Sequence, residues 1–167
     1  KKMQLQPHIV YLSLSSHVKV GVTKKEQLIT RWIDQGAQSA TSILEVPNRF
    51  LAGKAEVELK KVFSDKTNWR KMLQNDFEPI DWKISINKAI DNLSNDLKPF
   101  ILSDFSITEL DFPIKNHPKK VISLNFKKST SYEGLLIGIK GQYLIFDDDT
   151  VCNIRGNEGT EVLININ

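Results

Sequence analysis

Three histidines, one cysteine and a run of three aspartates are the residues here that most often carry chemistry. None has the spacing for it. His8, His17 and His117 lack metal-ligand spacing and have no cysteine nearby. Cys152 sits in an apolar stretch that reads as a strand, which makes it a core residue. Asp147 to Asp149 lack the glycine and distal glutamate of a calcium loop and read as a turn. Gly138 to Gly141 read as a hairpin turn, not a phosphate loop. A more promising set lies in the first third of the chain: Tyr11, Lys19 and Arg31, with Glu56 on a later helix. Each has an ordinary structural use when taken alone. Tyr11 suits sheet packing, Arg31 can pair with Asp34 or Gln35, and Glu56 suits a solvated helix face. Gly21, beside them, permits a close approach of another element.

The elements that must hold these residues follow from periodicity. Ile9 to Leu14 and Val18 to Val22 are short apolar runs joined by serines and His17, so they predict a hairpin. Val18, Val20 and Val22 share one face, while Lys19 and Gly21 share the other. This leaves Tyr11, Lys19, Gly21 and Arg31 able to point away from the core. Thr23 and Glu26 have capping-box spacing and predict a helix start. Leu28, Ile29, Trp32 and Ile33 form that helix's apolar stripe, and Gly36 ends it. Ser42 to Val46 read as a strand stopped by Pro47. Asn48 caps a second helix with the stripe Phe50, Leu51, Ala55, Leu59, Val62 and Phe63, despite Gly53 inside it. A short helix holding Trp69, Met72 and Leu73 follows, with a cap expected near Asp65 or Thr67. Trp82, Ile86, Ala89, Ile90, Leu93 and Leu97 predict another helix, running to about Lys98.

Beyond Pro99 the period changes. Residues 105–112, 121–126, 135–139, 143–146, 151–154 and 162–166 read as short strands between glycine and aspartate turns. The expected fold class is therefore α+β. Its parts are an α/β core over 1–75, a helical linker region over 76–104 and a small antiparallel β sheet or barrel over 105–167.

Composition sets the outer bounds. The 167 residues hold one ordinary domain or two small ones, and 40% hydrophobic with 26% charged content is ordinary for a soluble protein. No apolar run approaches the ~20 residues of a membrane span, so no membrane partner is expected. One cysteine excludes an intramolecular disulfide and a cysteine metal cluster, which points to the cytoplasm. The net charge of +3 is unevenly spread. Residues 1–75 carry 13 Lys and Arg against 6 Asp and Glu, and the remainder carries 10 against 14. A basic front half suits a polyanion partner, DNA or RNA, although a solvated lysine-rich surface has the same composition.

The order strand, strand, helix, strand, helix carries Ile9-Val10-Tyr11, Lys19-Val20-Gly21-Val22-Thr23, Arg31 and Ala55-Glu56 with Phe63. This resembles the GIY-YIG nuclease superfamily over about residues 8–70, in the branch whose second motif reads Lys-Ile-Gly-Ile-Thr. Lys19 stands where the tyrosine of the second motif would be, and Lys60 stands where the closest branch often has histidine. The resemblance implies a β-β-α-β-α core and a site of Tyr11, Lys19, Arg31 and Glu56 around one scissile phosphate. It implies Glu56 as ligand to Mg2+ or another divalent cation, Arg31 on the phosphate, and a tyrosine or lysine that helps to activate water. Lys24, Lys25, Arg49 and Lys60 are the expected nucleic-acid contacts. Most of the chain also resembles a bacterial family of unassigned function, domain of unknown function 2797. Arg31 to Ala37, Glu45 to Arg49, Asp65 to Arg70 and Gly138 to Phe146 carry that likeness. Its members are longer at the N-terminus, with cysteine pairs of zinc-site type, so this chain reads as a fragment.

The implied chemistry asks for these residue types. Hydrolysis of a phosphodiester needs cationic charge against the phosphoryl oxygens and a group that takes a proton from water. A carboxylate-held metal with an arginine supplies the first, and a lysine or tyrosine of lowered pKa supplies the second. The expected function is a metal-dependent endonuclease-like protein. The alternatives are a non-catalytic nucleic-acid-binding module and an interaction protein.

Overall fold

The computed structural model of the chain describes residues 5–126 and 128–166. The chain divides after Asp111 into two compact units. Each is built on a four-stranded, mostly antiparallel sheet, and the α-helices among the described residues lie in the first. The class is α+β.

In the first unit β1 (His8–Leu14), β2 (Val18–Lys24), β3 (Ser39–Val46) and β4 (Thr108–Glu109) lie in the order β2-β1-β3-β4, all antiparallel. Central β1 is buried along its whole length because both of its faces are covered. On one face Val10, Leu12 and Val20 meet Ala52, Ala55 and Leu59 of α2 (Arg49–Leu59) and Ile86 and Ala89 of α4 (Trp82–Asp91). On the other, Ile9, Tyr11 and Ala40 meet Trp32 of α1 (Leu28–Asp34). Leu93 and Leu97 join the first core, so the segment after α3 (Trp69–Leu73) packs within this unit.

Several expected features hold. The β1–β2 hairpin is present, Gly36 leaves α1 with a φ of 63°, and the Asn48 side chain accepts the Leu51 N–H at 3.0 Å. Others do not. Thr23 does not cap α1: it pairs with Ile9, β2 runs on to Lys24, and a 3-10 turn over Lys25–Gln27 precedes the helix. Strand pairing has taken the residue that the capping box would need. Of the expected α1 stripe only Trp32 is buried, with Ile29 and Ile33 exposed, because this seven-residue helix covers the sheet through one large ring. Phe50 leaves the expected α2 stripe and is 79% exposed; small Ala52 and Ala55 form the buried face instead. The α3 cap is Asn68, accepting from the Lys71 N–H, not Asp65 or Thr67. Asp81 caps α4, which ends at Asp91, short of Lys98.

In the second unit β5 (Ile122–Leu124), β6 (Leu136–Lys140), β7 (Tyr143–Phe146) and β8 (Thr150–Asn153) lie in the order β5-β8-β7-β6. The sheet is mixed, not purely antiparallel as expected. The long connection after β5 carries the chain across, so β5 joins beside β8 and runs parallel to it. Residues 162–166, expected as a strand, pair with none among the described residues; Leu163, Ile164 and Ile166 are exposed. The aspartate run is a turn whose carboxylates are engaged. Asp147 accepts from Leu135, Asp148 from Thr150 and Tyr132, and Asp149 from Lys119 and Lys120. Cys152 is buried on β8. No helix among the described residues is long and apolar enough to cross a membrane.

Candidate functional site

Tyr11 and Gly21 face one another across the β1–β2 ladder, as do Ser13 and Lys19. Paired residues share a face, so Tyr11, Ser13, Lys19 and Gly21 all lie opposite the valine core. This face is not open, as alternation alone suggested. Tyr11 is fully buried, and its ring meets Trp32 edge-on at 5.9 Å. The Tyr11 ring also lies across Gly21. A β-carbon there would overlap the Tyr11 Cζ and hydroxyl, so only glycine admits this tyrosine. The Tyr11 hydroxyl donates to Gln35 Oε1 at 3.2 Å. Burial pushes its pKa up, and Glu56 pushes the same way, against the Arg31 charge and the Gln35 contact. Tyr11 is therefore a protonated donor at neutral pH.

Lys19 is 7% exposed, and its Nζ donates to Thr67 Oγ1 at 2.7 Å. A backbone bond from the Val20 N–H to the Ser64 carbonyl brings the segment after α2 against the edge of β2. That segment is the lid that buries Lys19. Burial, and then the like charge of Arg31, lowers the Lys19 pKa to about 8, with Asp65 opposing. Arg31 itself is exposed on α1. It acts on both Tyr11 and Lys19, while Glu56 acts on Tyr11.

Glu56 projects from α2 into a chain of ion pairs. Its Oε2 meets Arg49 Nη2 at 3.4 Å, its Oε1 meets Lys60 Nζ at 3.3 Å, and Lys60 also meets Asp65 at 3.1 Å. Gly53 explains itself here. A β-carbon on it would press the Arg49 guanidinium at 3.1 Å, so the glycine lets Arg49 lie along the helix toward Glu56. The four expected nucleic-acid contacts all carry a carboxylate already: Lys24 meets Glu26, Lys25 meets Glu45, and Arg49 and Lys60 meet Glu56.

A family model described as a protein of unknown function (DUF2797) matches residues 1–162. The chain belongs to that family. No curated protein and no solved structure matches it.

In this DUF2797 chain the donor set for a metal is small. Among the described residues no three of His, Cys, Asp and Glu are grouped to hold an ion. Glu56 fits a one-carboxylate site, in which water and phosphate oxygens complete a hard cation's shell. Its carboxylate reaches solvent, with 22% of the side chain exposed. Its ion pairs with Arg49 and Lys60 are of the partly exposed kind worth only ~0–1 kcal/mol, so a divalent cation can displace them.

Sequence reasoning missed four residues. Gln35 accepts the Tyr11 hydroxyl proton and lies four residues after Arg31, one turn along. Thr67 holds Lys19 from 48 residues away, which no local pattern announces, while Asp65 ties nearby Lys60 and also acts on Lys19. Ser13 was legible, being two residues from Tyr11 and therefore on its face. Its buried hydroxyl and the Trp32 Nε1 have no hydrogen-bond partner among the described residues.

Proposed function

We propose that the first unit is a GIY-YIG-like, metal-dependent endonuclease core acting on the phosphodiester bonds of DNA or RNA. The order β1, β2, α1, β3, α2 supports the arrangement that the motifs imply. The observation that carries the reading is a shared face: Tyr11 and Lys19 lie on one side of the β1–β2 ladder, and α1, which carries Arg31, packs on that side through Trp32. The charge of Arg31 influences both, and that of Glu56 contributes least of the causes at Tyr11. Lys19, at about 8, is matched to accepting a proton near neutral pH. Its neutral amine takes the proton of the attacking water, and Thr67 fixes the direction of the side chain. Tyr11 stays protonated with its hydroxyl donating to Gln35 Oε1, so it borders the site as a neutral group, while Arg31 would offset the negative charge of the phosphate. Glu56 would hold a divalent cation, which when bound acidifies its water and neutralises phosphate charge.

The Glu56 ion pairs favour one second reading, a module that binds the strand without cutting it. Incubating labelled DNA and RNA strands with the protein and magnesium separates the two. Cleavage that Glu56→Gln abolishes while binding persists supports the nuclease. Binding without cleavage in the unaltered chain supports the module. No binding to any strand at low salt removes both.

A further inference from the structure

Helix α2 carries two parallel stripes, offset by one residue. Arg49, Glu56 and Lys60 form the first, at steps of seven and four. Phe50 and Val57, also seven apart, lie about 100° further round, and Lys61 follows in the turn after the helix. The first stripe belongs to the candidate site. The second is unused by it, yet Phe50 is 79% exposed and Val57 64% exposed. Both lie outside the buried cluster that takes Ala52, Ala55 and Leu59 from the same helix. Lys61 is exposed and has no carboxylate partner among the described residues.

We infer that Phe50 is a stacking platform for an unpaired base next to the phosphate at Glu56, so the substrate is single-stranded at that point. This rests on the nuclease reading and adds the form of nucleic acid it takes. An aromatic ring with an open face binds a base whatever its sequence, and flanking cations hold the backbone. Arg49, next to Phe50 and tied to Glu56 by a partly exposed ion pair, and Lys61, exposed in the turn after the helix, supply that charge. The apolar patch is one ring and one valine, which suits a single base plane. A stable protein interface needs roughly 800 Å² from each partner. A paired duplex keeps its base faces internally stacked, so it offers Phe50 nothing to stack on.

The test uses the full chain with EDTA, so that no strand is cut, at one fixed low salt concentration. The probes are a fluorescein-labelled 12-nucleotide strand containing 2-aminopurine and its fully paired duplex. Anisotropy gives affinity and 2-aminopurine quenching reports stacking. Phe50→Ala is expected to weaken single-strand binding about five- to 150-fold, the range for losing one base–aromatic stack. It should also abolish the quenching and leave duplex binding unchanged, while Phe50→Trp retains both signals. Single-strand binding that Phe50→Ala does not alter, or a preference for the duplex, overturns the inference and leaves the nuclease reading standing. Failure of the unaltered chain to bind either probe removes both together.

Discussion

Among the described residues each unit buries one lysine, and the two differ in company. Lys19 in the first is 7% exposed and Lys140 in the second is 2% exposed, and burial lowers each to about 8. Around Lys19 lie Thr67, Arg31 and Asp65, two of them charged. Lys140 lies over the Phe112 ring at 5.6 Å, and desolvation alone displaces its pKa. The same direction of shift thus arises beside charged groups drawn from several elements and from burial alone. A shifted pKa does not locate a site. Charged neighbours on separate elements are the better guide.

The largest expected effect separates the two lysines by activity. Lys19→Met should lower magnesium-dependent cleavage about 10²–10⁴-fold, the usual worth of a positioned proton acceptor. Lys140→Met should leave it unchanged. Initial rates on a labelled strand decide this, and equal losses would dissolve the distinction. The rate of the unaltered chain should rise with pH up to about 8 and then level, because the neutral amine is the active form.

A smaller effect makes the lysines alike. Both amines are harder to protonate folded than unfolded, so between about 8 and 10.5 the unfolded chain binds more protons. Stability therefore rises with pH across that window, at a slope of up to about 1.4 kcal/mol per pH unit for each lysine. Below pH 8 the penalty is present in full, so each Lys→Met variant should gain most at pH 7 and least at pH 10. Urea unfolding followed by tryptophan fluorescence reads Lys19→Met, since Trp32, Trp69 and Trp82 all lie in the first unit, and far-ultraviolet circular dichroism follows Lys140→Met. A midpoint that falls between pH 7 and pH 10 would contradict it.

The smallest expected effect is confined to one unit. Gly21→Ala drives a methyl into the Tyr11 ring and should cost the first unit ~1–3 kcal/mol, the range for overpacking. Tryptophan-detected unfolding should move while far-ultraviolet signal from the second sheet does not.

Much of the first unit was legible because its signals are local. Two apolar runs, Pro47, Asn48 and Gly36 each act within a few residues, and each sits as read. Thr23 was misread because a cap competes with a strand partner, and Ile9 lies fourteen positions away. Alternation separated Lys19 from the valines correctly but was silent on what covers the other face. Trp32 and the segment around Thr67 do so, and their placement depends on the whole fold. In the second unit, the apolar run at 162–166 offered a face but no neighbour to pair with.

The fit of Tyr11 over Gly21 constrains how this chain can change over time. Any side chain at position 21 meets the tyrosine ring, whereas a smaller residue at position 11 meets no such obstacle. Substitution is thus ordered: position 11 must shrink before position 21 can grow. The reverse route passes through an overpacked intermediate that selection for a folded chain would remove. A lineage that has enlarged position 21 has therefore already given up the tyrosine and the hydroxyl it presents.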